Sequence, residues 1–291
     1  MKKTVFITGS SSGIGRATAL KFQHEGWNVV ASMRSPGKES ELTALANVIC
    51  PALDVHDVES IRSALAAGIE RFGKIDAVIN NAGYGLIGPF ETFSQEQIER
   101  QFQTNVFGLM NVTREILPHM RANFSGHIIN IASFAGRSIF PLYSVYHASK
   151  WAVEGFVDSL SYEAGRFNIR LKLIEPGTIR TEFWGRSTDR VNATGIEAYD
   201  DYSKPILDAI DTAAASLSAR AEDVAEAIWV AANDHSGRLR YVVGADAHIT
   251  LLARKLLPDS LYQALIQATF HSGAVNHVGT LKSFLAGRAS R

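Results

Sequence analysis

The sequence has few of the features that mark secreted or membrane-spanning proteins. Cys50 is the single cysteine among 291 residues, so no disulfide bond can form within the chain. No apolar stretch reaches the about 18 residues that a membrane-spanning helix requires. The apolar run after Met1-Lys2-Lys3 ends at Gly9, too early for the core of a secretory signal. We therefore expect a cytoplasmic protein without a transmembrane segment.

A net charge and a metal-ligand pattern are also missing. The 29 Lys and Arg residues balance the 29 Asp and Glu residues, so electrostatics gives no reason to expect nucleic acid or an anionic membrane as partner. The nine histidines are scattered, without a His-x-x-x-His or Cys/His cluster, and we expect no metal site. With 46% hydrophobic residues and no repeat or linker, the sequence predicts one domain over residues 1–291.

What the sequence does contain is an alternation of short β-branched segments with longer helical ones. Strands are predicted at residues 4–8, 28–32, 48–53, 77–80, 127–132, 170–175 and 241–243. Helices are predicted at residues 60–72, 94–121, 148–166 and 220–233. Because parallel strands need long crossovers, this order predicts an α/β fold in which a mostly parallel seven-stranded sheet carries helices on both faces. Ligands bind such sheets at the carboxyl ends of the strands.

The first predicted strand leads into a glycine-rich turn. Gly9, Gly13 and Gly15 follow residues 4–8, and a helix begins directly afterwards. Glycines allow a tight turn and a close approach of the backbone to a ligand, while the helix N-terminus attracts a pyrophosphate. The G-x-x-x-G-x-G spacing lacks the Gly-Lys-Ser/Thr of a phosphate-binding P-loop, which disfavours a kinase or NTPase. An ordinary Gly/Ser loop is the alternative interpretation.

A second pattern joins a tyrosine, a lysine and a serine. Tyr146 and Lys150 are four residues apart, so they share one face of a helix. A nearby ammonium lowers the pKa of a phenol from its usual value of about 10. Together with Ser133, which follows a predicted strand, the pair could polarise and protonate a carbonyl group. A chance Tyr-x-x-x-Lys on a half-exposed helix is the alternative.

Four motifs together resemble the short-chain dehydrogenase/reductase family from about Lys3 to Ala245. They lie at residues 8–15, at residues 80–83, at Ser133 with Tyr146-x-x-x-Lys150, and at residues 176–181. The resemblance implies a Rossmann-type doubly wound fold and an oxidoreductase that uses NAD(P). With Arg34 and a long C-terminal segment, the chain is most similar to the 17-beta-hydroxysteroid-dehydrogenase-like subgroup, a similarity that does not establish a steroid substrate.

Residues at several strand ends are implied to bind the cofactor. They are Gly9, Ser11, Ser12, Gly13, Ile14, Gly15, Arg34, Asp54, Val55, Asn81, Ala82, Gly83, Tyr146, Lys150, Pro176, Gly177, Ile179 and Thr181. An acid after the second strand would bind the ribose hydroxyl of NAD, whereas a cation would pair with the 2′-phosphate of NADP. Met33 stands where NAD-preferring relatives often have an acid, and Arg34 follows it. We therefore expect NADP(H) rather than NAD(H), although a solvated arginine is the alternative for Arg34.

The catalytic residues implied by the resemblance are Asn105, Ser133, Tyr146 and Lys150. Ser133 would hydrogen-bond the substrate oxygen, Tyr146 would transfer the proton, and Lys150 would lower the pKa of the phenol and contact the nicotinamide ribose. The Asn105 backbone would help to hold a water in a proton relay. A core amide for Asn105 and a turn-forming aspartate for Asp54 are the alternatives.

The predicted substrate residues are Ser133, Tyr143, Phe183 and Trp184, and their apolar neighbours suggest a hydrophobic alcohol or ketone. Residues 182–219 resemble a mobile substrate lid. The C-terminal extension, residues 246–291, contains an amphipathic stretch at 251–270 that could cover the pocket, form a subunit interface or lie on a membrane. Family members are commonly homodimers or homotetramers.

Two other functions use a similar scaffold. An epimerase or dehydratase can also contain Tyr-x-x-x-Lys, but those relatives typically have a Thr-Gly-x-x-Gly-x-x-Gly turn, which this sequence lacks. A nonenzymatic NAD(P)-sensing or interaction protein usually loses a catalytic member, whereas Asn105, Ser133, Tyr146 and Lys150 are all present. Both alternatives are less favoured than the oxidoreductase.

Overall fold

A seven-stranded parallel sheet forms the centre of the protein, whose computed structural model describes residues 2–181, 187–216 and 219–271. The strands of this sheet are β1 (Thr4–Thr8), β2 (Asn28–Ser32), β3 (Val48–Ile49), β4 (Ala77–Asn80), β6 (Gly126–Ile131), β7 (Ile169–Pro176) and β11 (Arg240–Val243). Their order is β11-β7-β6-β4-β1-β2-β3, and every neighbouring pair is parallel. The predicted sheet and its strand number are confirmed.

Four short strands lie outside the central sheet. They are β5 (Gly85–Ile87), β8 (Ile179–Arg180), β9 (Thr188–Arg190) and β10 (Ala219–Arg220). β5 pairs with β9, and β8 pairs with β10. The β5–β9 pairing ties part of the predicted lid to the body of the protein, and the β8–β10 pairing joins the two ends of the lid segment. The sequence reading did not predict them.

Helices cover both faces of the sheet. They are α1 (Gly13–His24), α2 (Val58–Phe72), α3 (Gln95–Phe102), α4 (Leu109–Ala122), α5 (Ser144–Gly165), α6 (Glu197–Ser216), α7 (Ala221–Asn233), α8 (Ala245–Leu256) and α9 (Asp259–His271). One hydrophobic core joins the sheet to α1 and α7 through Phe22 and Ile228. The other joins it to α2, α4 and α5 through residues such as Ile61 and Val157. The doubly wound arrangement follows from these two cores.

Strand burial explains why the central strands contain continuous apolar runs such as Val5-Phe6-Ile7 and show no regular apolar–polar alternation. Every residue of β1, β4 and β6 is buried, because helices lie against both faces. The register places Phe6 beside Val30 on one side and Val78 on the other. The carboxyl ends of these strands therefore meet along one edge of the sheet.

Three predicted elements differ from the observed ones by four residues or more, and one of them is the helix predicted over residues 148–166, which begins at Ser144. The third strand ends at Ile49 instead of residue 53, and Ala52 forms an isolated bridge with Met33. The helix predicted over residues 94–121 is divided by a π-helical turn, Gln103–Gly108, between α3 and α4. A π turn contains about one extra residue, and a shift confined to a single turn is too short for the hydrophobic pattern of residues 94–121 to reveal.

None of the helices in the described part of the chain is long and apolar enough to cross a bilayer.

Candidate active site

The ends of the central strands open into one cavity of about 490 Å³. All the predicted cofactor residues except Gly15 line it, and so do Ser133 and Tyr143. Asn105 is buried beside the cavity without lining it. Phe183 and Trp184 lie outside the described residues. The structure thus brings distant motifs to one place, as the strand-end argument predicts.

The glycine turn at one end of the cavity has a backbone that other residues would strain. Gly9 and Gly13 have φ angles of +71° and +54°, in the left-handed region that favours glycine. Gly15 is required for a different reason: a Cβ there would lie 2.3 Å from the Gly9 carbonyl oxygen and 2.5 Å from the Asn81 amide nitrogen. The turn therefore requires glycine for two reasons: the backbone angles at Gly9 and Gly13, and the close contacts around Gly15.

Asn81 fastens this turn to the neighbouring strand end. Its side-chain nitrogen donates to the carbonyl oxygens of Thr8 and Gly9, at 2.9 and 3.0 Å. The Thr8 hydroxyl accepts hydrogen bonds from the backbone of Asn81 and Ala82, both at 3.0 Å. Asn81 and Ala82 also line the cavity. The Asn80–Gly83 motif therefore shapes the turn in addition to facing the cavity.

The N-terminus of α1 points its free backbone amides at this end of the cavity. Ser12 is the N-cap residue, but its side chain makes no capping hydrogen bond, and the first turn of α1 contains no acidic residue. A helix N-terminus without a nearby carboxylate attracts an anion. The turn and the helix together suit the pyrophosphate of a dinucleotide.

Farther along the same end, the cavity reaches Arg34, Asp54 and Val55. Arg34 is exposed, and among the described residues it forms no ion pair. One Asp54 carboxylate oxygen accepts a hydrogen bond from the His56 backbone at 3.0 Å. Asp54 therefore forms a turn and also lines the cavity. The turn-forming interpretation and the cofactor-binding interpretation do not exclude each other.

Ser133, Tyr146 and Lys150 meet in the middle of the cavity. The Lys150 ammonium lies 5.8 Å from the centre of the Tyr146 ring and donates a 2.8 Å hydrogen bond to the Ile131 carbonyl. The Ser133 hydroxyl accepts from the Ala135 backbone at 3.1 Å and is hydrogen-bonded to Tyr146. Helix α5 and the end of β6 thus bring the three side chains together as predicted.

The pKa of Tyr146 is raised in this structure, not lowered as its spacing from Lys150 predicted. Burial raises the pKa of Tyr146 to about 12, with the hydrogen bond from Ser133 acting in the opposite direction. Burial also lowers the pKa of Lys150 to about 8. Desolvation disfavours the charged form of both groups, and spacing along the helix cannot report how deeply either is buried. At neutral pH Tyr146 is a protonated phenol.

Asn105 occupies the π-helical turn that the sequence did not predict. Its side chain pairs with the Tyr84 backbone in both directions, accepting from the nitrogen and donating to the oxygen at 2.9 Å each. It also donates to the Ser149 hydroxyl at 3.3 Å. The side chain is therefore a buried amide that forms hydrogen bonds with the protein. The π turn changes the path of the backbone at Asn105, and this backbone is the part of the residue that the predicted proton relay uses. Turns of this kind occur frequently at functional sites.

The opposite end of the cavity is apolar and is built from segments far apart in the sequence. Its lining includes Phe134, Phe140, Tyr143, Ile210 and Phe270. Phe140 packs against Phe134 and Phe270, with ring centres 5.0 and 6.0 Å apart. The end of α9 contributes Thr269 and Phe270 to the lining of the cavity.

Two charged residues close the rim at this end. Arg100 on α3 pairs with Asp189 on β9, and the Arg100 guanidinium lies 5.3 Å from the centre of the Tyr84 ring. Both Arg100 and Asp189 line the cavity. Neither of these two residues was predicted from the sequence, and neither were Phe140, Ile210 and Phe270. The amphipathic pattern of residues 197–216 could have identified α6 and hence Ile210, but nothing local marks the ion pair.

A buried carboxylate that the sequence reading missed holds the last strand end. Asp246, near the start of α8, accepts a 2.7 Å hydrogen bond from the Thr178 backbone. A Cβ on Gly177 would lie 2.2 Å from its other carboxylate oxygen. Gly177 therefore allows Asp246 to anchor the Pro176-Gly177-Thr178 segment at the cavity wall.

Comparison with known proteins agrees with this geometry. Residues 3–192 match the short chain dehydrogenase family. The chain belongs to the short-chain dehydrogenase/reductase family. It is 35% identical to the oxidoreductase YusZ of Bacillus subtilis over 281 residues, which cover 93% of this chain and 99% of YusZ. Members of the family are NAD(P)-dependent dehydrogenases or reductases, and so is this chain.

Two further relatives have names that specify a substrate. Retinol dehydrogenase 8 of Bos taurus is 37% identical over 68% of this chain and 66% of its own length. The 3-ketodihydrosphingosine reductase of Bacteroides thetaiotaomicron is 35% identical over 70% of this chain and 72% of its own length.

Solved structures show the same fold. A short-chain dehydrogenase from Streptomyces avermitilis superposes with a TM-score of 0.79 at 30% identity, over 94% of this chain and 98% of that one. ElxO with NADP bound has a TM-score of 0.68 at 26% identity, over 83% and 98% of the two chains. A Burkholderia phymatum family member in complex with NAD has a TM-score of 0.74 at 26% identity, over 88% and 92%. Both coenzymes therefore occur among the structural neighbours.

Proposed function

We propose that this protein is an NADP(H)-dependent oxidoreductase that interconverts a hydrophobic secondary alcohol and its ketone or aldehyde. The observation that carries the proposal is the position of Ser133, Tyr146 and Lys150 between the two unlike ends of one cavity. One end has a glycine turn and a helix N-terminus suited to a dinucleotide, and the other end is apolar. A group bound at each end would meet at the three side chains.

The residues present suit a nicotinamide dinucleotide. Gly9, Gly13 and the amides of α1 would hold the pyrophosphate, and the segment from Pro176 to Thr181 would border the nicotinamide. When bound, the cofactor supplies or accepts the hydride. Lys150 would hold the nicotinamide ribose, and Gly15 would keep the turn open by its lack of a side chain.

The chain's own groups would handle the proton. Ser133 would donate a hydrogen bond to the substrate oxygen, and Tyr146 would transfer its phenolic proton to that oxygen during carbonyl reduction. Because burial raises the pKa of Tyr146 to about 12, the phenol is in the protonated form that this step needs. Asn105 in the π turn would support proton relay to Lys150.

The preference for NADP(H) rests on Arg34. This side chain lines the cavity at the end of β2, where a 2′-phosphate would lie, and no described carboxylate pairs with it. An unpaired guanidinium favours a phosphate over a hydroxyl. Ser12, whose side chain leaves the helix amides uncapped, would add a second hydrogen bond.

The apolar end supports a hydrophobic substrate. Phe134, Phe140 and Phe270 line it, and the charged side chains at its rim, Arg100 and Asp189, are paired with each other. Apolar walls with a few polar groups are typical of such pockets. The names of retinol dehydrogenase 8 and 3-ketodihydrosphingosine reductase point in the same direction. We assign the chain to the 17-beta-hydroxysteroid-dehydrogenase-like subgroup by sequence pattern, without proposing a steroid.

The organisation proposed with this function is one domain over residues 1–291. Residues 182–219 would form the substrate lid, and the extension from residue 246 would cover the apolar end. The family resemblance adds a homodimer or homotetramer, and the single cysteine suits a cytoplasmic location.

A screen of the full chain, stripped of cofactor, tests the proposal. Apolar ketones, aldehydes and alcohols of graded size are assayed with NADPH, NADH, NADP⁺ and NAD⁺. We expect turnover of the larger apolar carbonyls with a kcat/KM at least about tenfold higher for NADPH, equivalent to about 1.4 kcal/mol. Cofactor binding without any hydride transfer would favour the sensing alternative, and faster turnover with NADH would overturn the coenzyme assignment.

A further inference from the structure

A buried carboxyl group lies four residues after Lys150 on the same helix. Glu154 is one helical turn farther along α5 and is 5% exposed. It does not line the cavity. A Cβ at Gly136 would lie 2.9 Å from the Glu154 Cγ and 3.1 Å from the Lys150 carbonyl oxygen. The glycine therefore leaves room for Glu154 to lie directly beside the Lys150 turn.

The hydrogen bonds of Glu154 are incomplete. Its Oε2 accepts a 3.0 Å hydrogen bond from Arg240 on β11. Its Oε1 is buried and has no hydrogen-bond partner among the described residues. A buried carboxylate with one unsatisfied oxygen is costly, so a charge nearby is needed to offset that cost.

Charged groups face Glu154 from each element packed against it. They are Lys150 and Asp158 on α5, Arg137 after β6, Glu175 on β7 and Arg240 on β11. Glu175 is fully buried, and its carboxylate forms ion pairs with both guanidinium groups, with Arg137 at 3.0 Å and with Arg240 at 3.1 Å. Asp158 takes Arg240 as well, at 2.6 Å. Three carboxyl groups thus share two guanidinium groups.

Lys150 supplies the third positive charge of this cluster. Burial lowers the pKa of Lys150, and the Glu154 carboxylate acts in the opposite direction. Burial and the neighbouring Glu175 carboxylate raise the pKa of Glu154 to about 7, while Arg240 and Arg137 act in the opposite direction. Charges in a site shielded from water interact more strongly than on the surface.

We propose that Glu154 is a positioning residue whose carboxylate keeps Lys150 in its ammonium form beside Tyr146. It acts through Lys150 and touches neither substrate nor cofactor. The inference rests on the proposed function of Lys150. It adds an acid to the site that the family motifs do not contain and that the cavity lining does not reveal.

Substitution Glu154→Gln removes the charge while keeping the size and an acceptor for Arg240. The ammonium then loses its stabilising partner, so the pKa of Lys150 falls. In the proposed reaction Tyr146 regains its proton through the relay that includes Lys150, so the kcat/KM of carbonyl reduction should decline at high pH as the ammonium loses its proton. In E154Q we expect this alkaline limb to move to lower pH by about one unit. An unchanged limb in a folded variant would overturn the proposal.

A matched control comes from the same helix. Asp158 shares Arg240 with Glu154, but it is half-exposed and one turn farther from Lys150. Asp158→Asn should leave the alkaline limb in place. Glu154→Asp keeps the charge and should return the limb to within about 0.3 units of the wild type. Equal shifts in D158N and E154Q would identify a general effect of disturbing Arg240 and contradict a specific role for Glu154.

A second readout does not depend on turnover. Lys150 lines the cavity, and a small acylating reagent reacts with its neutral amine. Mass spectrometry of labelled Lys150 across a pH series should show half-maximal labelling about one unit lower in E154Q than in the wild type or D158N. Identical midpoints would reject the proposal. If no substrate is turned over but the midpoints differ, the proposed reaction fails and the electrostatic role of Glu154 stands. Thermal unfolding checks that each variant is folded.

Discussion

The two ends of the cavity are built in different ways. The glycine-turn end comes from residues 9 and 11–14 after β1, residue 34 after β2, residues 81–83 after β4, and residues 54–55 just beyond the isolated Met33–Ala52 bridge. The apolar end comes from side chains of residues 134–143, the region around β9, the middle of α6 and the last turn of α9. At the first end backbone geometry sets the shape. At the second end the shape is set by side-chain packing.

Because of this difference, the glycine-turn end tolerates few substitutions, whereas the apolar end can be built from many combinations of side chains. A pyrophosphate needs amides at fixed positions, so a single added methyl group in the glycine turn has a severe effect. An apolar substrate needs volume and exclusion of water, which many combinations of side chains can supply. Changes at the first end should therefore alter cofactor affinity, and changes at the second end should alter substrate selectivity.

Among the changes that test the difference between the two ends, the largest effect is expected from Gly15→Ala. The new Cβ would lie 2.3 Å from the Gly9 carbonyl oxygen, and overpacking of this kind costs about 1–3 kcal/mol. We expect NADPH affinity to fall by about 10- to 100-fold in a fluorescence titration. Gly155→Ala on α5 is the control, because nothing lies within 4 Å of its Cβ position. Unchanged affinity in G15A would refute the close-approach argument.

Arg34→Ala should act at the same end but on one coenzyme. Loss of the guanidinium should weaken NADPH binding about tenfold and leave NADH binding within about twofold. Arg71→Ala is the control, since Arg71 is exposed and lies over the Phe72 ring away from the cavity. Equal loss for both coenzymes would show that Arg34 does not select between them.

Phe270→Ala should affect the apolar end alone. Removing this ring from beside Phe140 enlarges the pocket, and we expect the kcat/KM ratio to move about fivefold toward bulkier substrates. NADPH affinity should stay unchanged in the same preparation. The exposed Leu256 on α8 provides the control substitution, Leu256→Ala. A weakened cofactor with unaltered selectivity would break the division between the two ends.

Arg100→Ala should give the smallest change. Its ion pair with Asp189 is half-exposed, and such pairs contribute about 0–1 kcal/mol. We expect KM for the substrate to rise by at most about threefold, and the difference should vanish in about 1 M salt. Arg114→Ala removes a more exposed arginine outside the cavity and should leave KM unchanged. A tenfold rise would mean that the rim is held by more than electrostatics.

The glycine-turn end could largely be predicted from the sequence because its determinants are local. β1, β2 and β4 begin and end at the predicted residues, since apolar β-branched runs bounded by turn residues identify buried strands. The predicted cofactor residues then follow from the strand ends. Their convergence needed only the rule that parallel strands end at one edge.

The apolar end could not be predicted to the same extent because it depends on contacts between distant segments. Nothing near Ile87 or Arg190 indicates that β5 pairs with β9. The depth of burial of Tyr146 could not be predicted from the sequence either. The spacing of Tyr146 and Lys150 predicted a lowered pKa for the phenol, whereas desolvation raises it. The π turn at Asn105 also depends on tertiary packing. So do the buried positions of the Glu154 and Asp246 carboxylates.

The most direct test of the account compares Tyr146→Phe with the wild type, measuring turnover and NADPH affinity on the same samples. Phenylalanine keeps the ring but removes the proton that the reaction requires. We predict that kcat falls by about 10²- to 10⁴-fold while the dissociation constant of NADPH changes by less than about threefold. Turnover at the wild-type rate would contradict the role of Tyr146 and with it the proposed reaction.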